Sequence, residues 1–173
     1  MKIISAPLEK SEIKRLSAGE EVLLNGVIYT ARDQAHKRLV EALVKGKKFP
    51  LELRNQVIYY CGPTKLPRGK VIGSCGPTTS SRMDGFAPFL LDAGLRGMIG
   101  KGNRSAGVVK SIKKNRAIYF LAYAGCGALI SKCVLEARIV AYADLGPEAI
   151  YRLVVKDLPL IVAIDTQGRN IYG

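Results

Sequence analysis

Short runs rich in Val, Ile and Tyr alternate along this chain with segments whose apolar residues recur every three or four positions. Each run stops at a cluster of Gly, Pro, Thr or Asp. Strands that alternate with helices in this way define an α/β fold. Residues 22–29 read as a strand, and 34–45 as a helix with Ala35, Leu39 and Leu43 on its apolar face and Gly46 placed to end it. Residues 57–60 and 71–74 read as two more strands, and both stop at the same tetrapeptide, Cys-Gly-Pro-Thr, beginning at Cys61 and again at Cys75. Proline removes a backbone donor and closes a strand. A helix is expected over 82–93, capped by Ser81 or Thr79, then a short strand over 97–100. Asn103 or Ser105 caps a further helix reaching Lys114. A strand over 117–122, a helix over 128–137 and a strand over 139–142 follow. A closing hairpin pairs 160–164 with 170–172 and makes the sheet mixed. No linker rich in Pro, Ser or Gly interrupts the alternation, so residues 1–173 are expected to form a single domain.

The charge balance needs a partner or a solvated surface to account for it. There are 27 Lys and Arg against 14 Asp and Glu, a net charge of +13. A basic nucleic-acid-binding or scaffold module is one reading. Against it, the cations are spread along the chain, aromatics make up only 7%, and Trp is absent. No helix-turn-helix, zinc-finger or aromatic RNA-binding pattern appears, so no nucleic acid is expected. A basic surface, an acidic partner subunit or an anionic substrate remain. The longest apolar run, 117–130, is shorter than the roughly 20 residues of a bilayer span and is broken by Gly125 and Gly127. Neither a signal peptide nor a membrane segment is expected, and the expected location is cytoplasmic. Cys61, Cys75, Cys126 and Cys133 lack the two-residue spacing of zinc or redox motifs and read as reduced, buried apolar residues. No metal site is expected in this chain.

Chemistry concentrates at three strand-to-helix turns, the usual place for ligand contacts in open α/β sheets. Arg32 and Asp33 lie at the first, with the only histidine, His36, one turn into the helix. An arginine beside the positive end of a helix is mildly unfavourable unless an anion is present. Thr78, Thr79, Arg82 and Asp84 lie at the second. There, hydroxyls cap a helix, or backbone N–H groups and Arg82 bind a carboxylate. A threonine hydroxyl is a poor base alone, and Asp84 is the one nearby carboxylate in sequence. Lys101, Gly102 and Asn103 form the third. If the three turns converge, their cations make a pocket for a molecule with two negative groups. The Gly100-Lys101-Gly102 run does not make a phosphate loop.

Three separated stretches resemble one family: 30–38 (TARDQAHKR), 76–84 (GPTTSSRMD) and 101–104 (KGNR), with 142–150 and 162–165 also similar. The family is the β subunit of class I fumarate hydratase, which is the C-terminal domain of single-chain members, and it includes the L(+)-tartrate dehydratase β subunit. The resemblance implies a swivelling three-layer β/β/α domain with a mixed sheet. It also implies a hydro-lyase subunit that is inactive alone and acts in the tricarboxylic acid cycle step joining fumarate and (S)-malate. The partner would be a larger α subunit holding a 4Fe-4S cluster through three cysteines, in an α2β2 heterotetramer. The open iron of that cluster would act as a Lewis acid on the substrate hydroxyl. Carried onto this sequence, Arg32, Arg82 and Lys101 resemble the substrate-carboxylate binders, and Thr78 resembles the catalytic threonine. Asp33, His36, Thr79, Asp84, Gly102 and Asn103 would support them.

Overall fold

The computed structural model describes residues 1–173. Its strands are β1 (Lys2–Ala6), β2 (Glu21–Thr30), β3 (Val57–Tyr59), β4 (Gly97–Gly100), β5 (Ile118–Ala122), β6 (Val134–Ala141) and β7 (Ile150–Ile164). Its helices are α1 (Lys10–Ile13), α2 (Asp33–Val44), α3 (Ala87–Asp92), α4 (Ala106–Asn115) and α5 (Gly127–Ile130). All strands join one mixed sheet in the order β1-β2-β3-β4-β5-β7-β6. The strands β1 to β5 pair in parallel, while β7 runs antiparallel to β2, β5 and β6. Because β7 pairs with both β5 and β2, strands β2, β3, β4, β5 and β7 close into a ring.

Alternate residues of the central strands enter two different cores, as the period of two requires. Val57, Tyr59, Ile118 and Phe120 join a cluster of 24 buried residues, 17 of them on strands. Ile58, Tyr60, Met98 and Tyr119 face a cluster of 19 that takes Ala35 and Leu39 from α2, Leu90 from α3, and Val108 and Ile112 from α4. Gly26 shows how closely β1 and β2 approach. Its φ is +102°, and a Cβ there would stand 2.2 Å from the Ala6 carbonyl oxygen. The β2–β7 register shifts at this point.

The structure corrects several sequence expectations. Residues 71–74 form no strand. Thr64 and Ser74 bond to each other instead, with Thr64 N donating to Ser74 O at 3.0 Å and Ser74 N to Thr64 Oγ1 at 2.8 Å. The two Cys-Gly-Pro-Thr copies therefore meet across a closed loop. The helix expected over 82–93 is split into a 3-10 turn, Ser80–Met83, and α3, with Pro88 tolerated in the first turn. Neither Thr79 nor Ser81 caps it. Residues 128–137 are one turn of α5, a 3-10 turn and then β6, because pairing with β7 outweighs the helical spacing of Ile130, Val134 and Ala137, and the strand expected over 139–142 is the end of β6. The terminal hairpin reduces to a single bridge, Ile164 to Asn170, and β7 extends back to Ile150. Residues 2–6 form β1, which the sequence reading left unassigned. Elsewhere the expected elements stand. Gly46 takes a φ of +60° just past α2. Ser105 Oγ accepts from Val108 N and caps α4, so of the two proposed caps the serine serves.

Candidate functional site

The C-terminal ends of β2, β3 and β4 stand in a row, tied by Ala31 N to Tyr59 O at 3.1 Å and Tyr60 N to Ile99 O at 2.8 Å. The segment after Cys75 lies along that row. Thr78 N donates to Tyr60 O at 2.7 Å, Thr79 bridges Lys101 in parallel, and Ser80 N donates to Lys101 O at 3.0 Å. Lys101 N returns a bond to Ser80 Oγ at 3.1 Å. The second and third turns are therefore one hydrogen-bonded unit.

The Ser80–Met83 turn swings Arg82 back to the first turn, where its Nε stands 2.9 Å from Asp33 Oδ1. Arg32 Nη2 is 3.7 Å from Asp33 Oδ2. Asp33 thus lies between two guanidinium groups. The Arg32 side chain rests over Gly62, where a Cβ would come within 3.1 Å of Nη1. Arg32 Nε and Asp33 Oδ2 are buried with no hydrogen-bond partner. Thr78 and Lys101 are half-buried, and Lys101 enters no salt bridge. The cations of all three turns therefore border one stretch of backbone, as convergence of the turns requires.

The supporting residues divide into two groups. Thr79 and Asn103 are exposed, and Gly102 turns the chain at a φ of +81°. Asn103 Oδ1 accepts from Arg104 N at 2.8 Å and from Asn170 Nδ2 at 3.1 Å. Asp84 is fully engaged: Oδ1 pairs with Arg104 Nε at 2.7 Å and Oδ2 accepts from Ser105 N at 2.8 Å. It anchors the 101–105 loop, and both its oxygens already hold hydrogen bonds. His36 is buried, with Nδ1 2.8 Å from the Arg32 carbonyl oxygen. Nδ1 must carry the proton to make that bond, which leaves Nε2 as a buried nitrogen without a partner. Burial lowers its pKa to about 4, and the Arg104 charge acts in the same direction, so the ring is neutral at pH 7. Its edge meets Tyr60 with ring centres 5.3 Å apart.

Four residues that hold this region were not singled out by the sequence. Arg104 is buried, bonds Tyr60 Oη at 3.2 Å, and lies 5.2 and 4.9 Å from the centres of the Tyr60 and Tyr119 rings. The Tyr119 hydroxyl stands 2.8 Å from both Ser80 Oγ and the Gly102 carbonyl oxygen. Ser80 is itself buried between those two turns. Glu148 supplies the missing cap of α2, where Arg32 offers none, by accepting from Gln34 N at 3.2 Å. Ser80, Arg104 and Glu148 lie inside the stretches 76–84, 101–104 and 142–150 that carry the family resemblance, whereas Tyr119 carries no sequence signal.

A second cationic cluster lies apart from these turns. Lys10, Lys14, Lys113 and Arg116 border a cleft at the far end of α4, and none of them enters a salt bridge. No group of three or more His, Cys, Asp or Glu side chains is arranged to hold a metal ion. No helix is long and apolar enough to cross a membrane.

The fold is an α/β domain whose neighbouring strand ends carry Arg32, Arg82 and Lys101. Comparison with known proteins narrows this further. The profile of the family described as fumarase C-terminus matches residues 2–173. A putative L(+)-tartrate dehydratase subunit beta of Methanocaldococcus jannaschii is 39% identical over 171 residues, covering 95% of this chain and 88% of that protein. Fumarate hydratase 2 of Leishmania major is 33% identical over 174 residues, and the aerobic class I fumarate hydratase of Escherichia coli K12 is 34% identical over 164. The chain spans only 31% and 30% of those two proteins. It belongs to the fumarase C-terminus family.

Proposed function

We propose that this chain is the β half of a class I fumarate hydratase, a hydro-lyase that interconverts fumarate and (S)-malate at a site shared with an α subunit. The observation that carries the reading is the union of the three turns: Thr78 and Lys101 on one hydrogen-bonded unit, with Arg82 returned to Asp33 beside Arg32. A dicarboxylate has two ends for these cations, and Lys101, half-buried and in no salt bridge, is open to one of them. In the dehydration direction a proton leaves the carbon next to one carboxylate and hydroxide leaves the neighbouring carbon. Cations on that carboxylate stabilise the charge that develops as the proton departs. Thr78 is the proposed proton-transfer residue.

Both Asp84 oxygens are engaged elsewhere. Asp33 lies between Arg32 and Arg82, so the carboxylate that works with Thr78 is assigned to the partner subunit. The relative named as a beta subunit supports the same division. The 4Fe-4S cluster is assigned to that partner, because the four cysteines and the one histidine here form no ligand set. The proposal includes an α2β2 assembly, inactivity of the isolated chain, a cytoplasmic location, and a single swivelling domain. The strand-lined and helix-lined cores on opposite faces of β3 to β5 support β/β/α layering.

L(+)-tartrate is the second reading, favoured by the 39% relative that matches almost end to end. The test is anaerobic turnover of (S)-malate and L(+)-tartrate by the chain co-expressed with its α subunit. Preferential formation of fumarate that needs both chains and is lost in Thr78→Ala carries the first reading. Preference for tartrate carries the second. Turnover of neither, in a stable complex with a verified cluster, overturns both.

A further inference from the structure

The duplicated Cys-Gly-Pro-Thr has a use that the substrate site leaves aside. The Thr64 and Ser74 bonds draw the two copies together, and just inside that closure the Cys61 and Cys75 sulfurs are 2.8 Å apart. Neither thiol has exposed surface. The two thiols are in direct contact, and either sulfur can donate its hydrogen to the other. The backbone holds them there. Cys75 N donates to Gly127 O at 3.1 Å, the Tyr59 hydroxyl donates to Cys75 O, and Cys61 directly extends the β3 segment. The other two cysteines, Cys126 and Cys133, are partly exposed and lie outside this contact. The neighbouring Cys75 sulfur and burial both raise the Cys61 pKa.

We propose that Cys61 and Cys75 are a dithiol–disulfide site, oxidised by a small peroxide and reduced by a dithiol. Burial restricts both the oxidant and the reducing dithiol to small molecules. One sulfur gives up its proton and attacks a peroxide oxygen; the O–O bond breaks, water leaves and a sulfenic acid remains. The second sulfur attacks the first, the S–S bond forms, and a second water leaves. Two thiols and one hydrogen peroxide give one disulfide and two waters. A dithiol reverses this by two exchange steps and is itself oxidised to a disulfide. The bond ties the end of β3, next to Gly62 under Arg32, to the segment that leads directly to Thr78. This proposal does not rest on the substrate reading.

The full chain, alone or with its partner subunit, is treated with hydrogen peroxide, quenched in acid and denaturant, and analysed by intact mass, thiol titration and peptide mapping. The expected product has lost two hydrogens, titrates two thiols in place of the four of the reduced chain, and yields a Cys61–Cys75 cross-linked peptide. Its unfolding midpoint rises by roughly 5–10 °C and falls back with dithiothreitol. Cys61→Ser and Cys75→Ser each abolish the cross-link, and the wild-type mass reading decides alone if either variant fails to fold. Free Cys61 and Cys75 in a sample whose exposed Met1 is already oxidised would overturn the proposal. So would separate oxidation of the two sulfurs without a bond between them.

Discussion

Asp84 and Arg104 meet at 2.7 Å, and the arginine side chain of that pair has no exposed surface. The pair ties the turn after Thr78 to the loop after Lys101, since Asp84 also accepts from Ser105 N. Removing one member strands a buried charge, which costs about 3–5 kcal/mol. Asp84→Ala is expected to lose that much in urea unfolding of the full chain. Asp84→Leu combined with Arg104→Met is expected to recover most of it, because an apolar pair of similar volume avoids the stranded charge. A loss under about 1 kcal/mol for Asp84→Ala would assign the loop's position to other contacts.

Asp33 is expected to act on ligand affinity more than on folding. Its partner Arg82 is half exposed, with 52% of the side chain accessible, so their ion pair is worth under about 1 kcal/mol. Asp33→Asn should leave the unfolding midpoint nearly unchanged. On the proposed function it should raise KM for the dicarboxylate several-fold, because Arg82 loses the group that turns it toward Arg32. Arg82→Met should raise KM further and lower kcat. KM and kcat unchanged in Arg82→Met would remove it from the site.

Stability should fall in mild acid through a single residue. His36 is the only histidine, and its pKa drops from 6.5 to about 4 on folding. The unfolded chain then binds the proton more tightly than the folded chain. The contribution is complete above pH 6.5 and is lost as pH falls towards about 4. The slope is about 1.4 kcal/mol per pH unit, and the sum about 3 kcal/mol. Urea unfolding at pH 7, 6 and 5 measures it. In His36→Gln, whose amide replaces the donor to the Arg32 carbonyl, the slope should flatten over this range.

Two glycines flank Lys101 for different reasons, and alanine separates them. A Cβ at Gly100 would stand 1.8 Å from Ser80 Oγ and 2.9 Å from Tyr60 Cδ2. Gly100→Ala must push Ser80 off the Lys101 backbone and should cost about 3 kcal/mol, the upper end for overpacking. At Gly102 nothing lies within 4 Å of such a Cβ, and only the φ of +81° opposes it. Gly102→Ala should cost about 1–2 kcal/mol. Thermal unfolding of the two variants should rank them in that order.

The α/β class, α2, β4, α4 and its Ser105 cap were legible because each has a local cause: a period, a cap or a turn residue. β6 was legible only from Ile139 onward, because Ile130, Val134 and Ala137 fall at helical spacing and only β7 decides between the two forms. β1 was missed for the same reason, since it is a strand by virtue of lying on β2. Residues 71–74 misled in the other direction: Val71 and Ile72 look like a strand, but no strand lies beside them. At the candidate site, the convergence of Arg32, Thr78, Arg82 and Lys101 could be anticipated from the strand-to-helix turns. The engagement of Asp84 by Arg104 could not. A carboxylate two residues past an arginine carries no mark of which cation it meets in the fold.

The long strand β7 also sets a timetable. It is made last, yet Glu21 to Tyr29 of β2 pair with residues 161 to 152 of it. At about 5–20 residues per second, a ribosome leaves the β2 edge without its partner for on the order of ten seconds. Neighbouring nascent copies on one message meet during that interval, and an uncovered edge is a template for wrong pairing. Every finished copy carries +13, and the whole excess lies within residues 31–120, where 18 Lys and Arg stand against 5 Asp and Glu, so it is in place before β7 is made. Mutual repulsion between growing chains would act while the ring is still open, before any enzyme exists for the charge to serve.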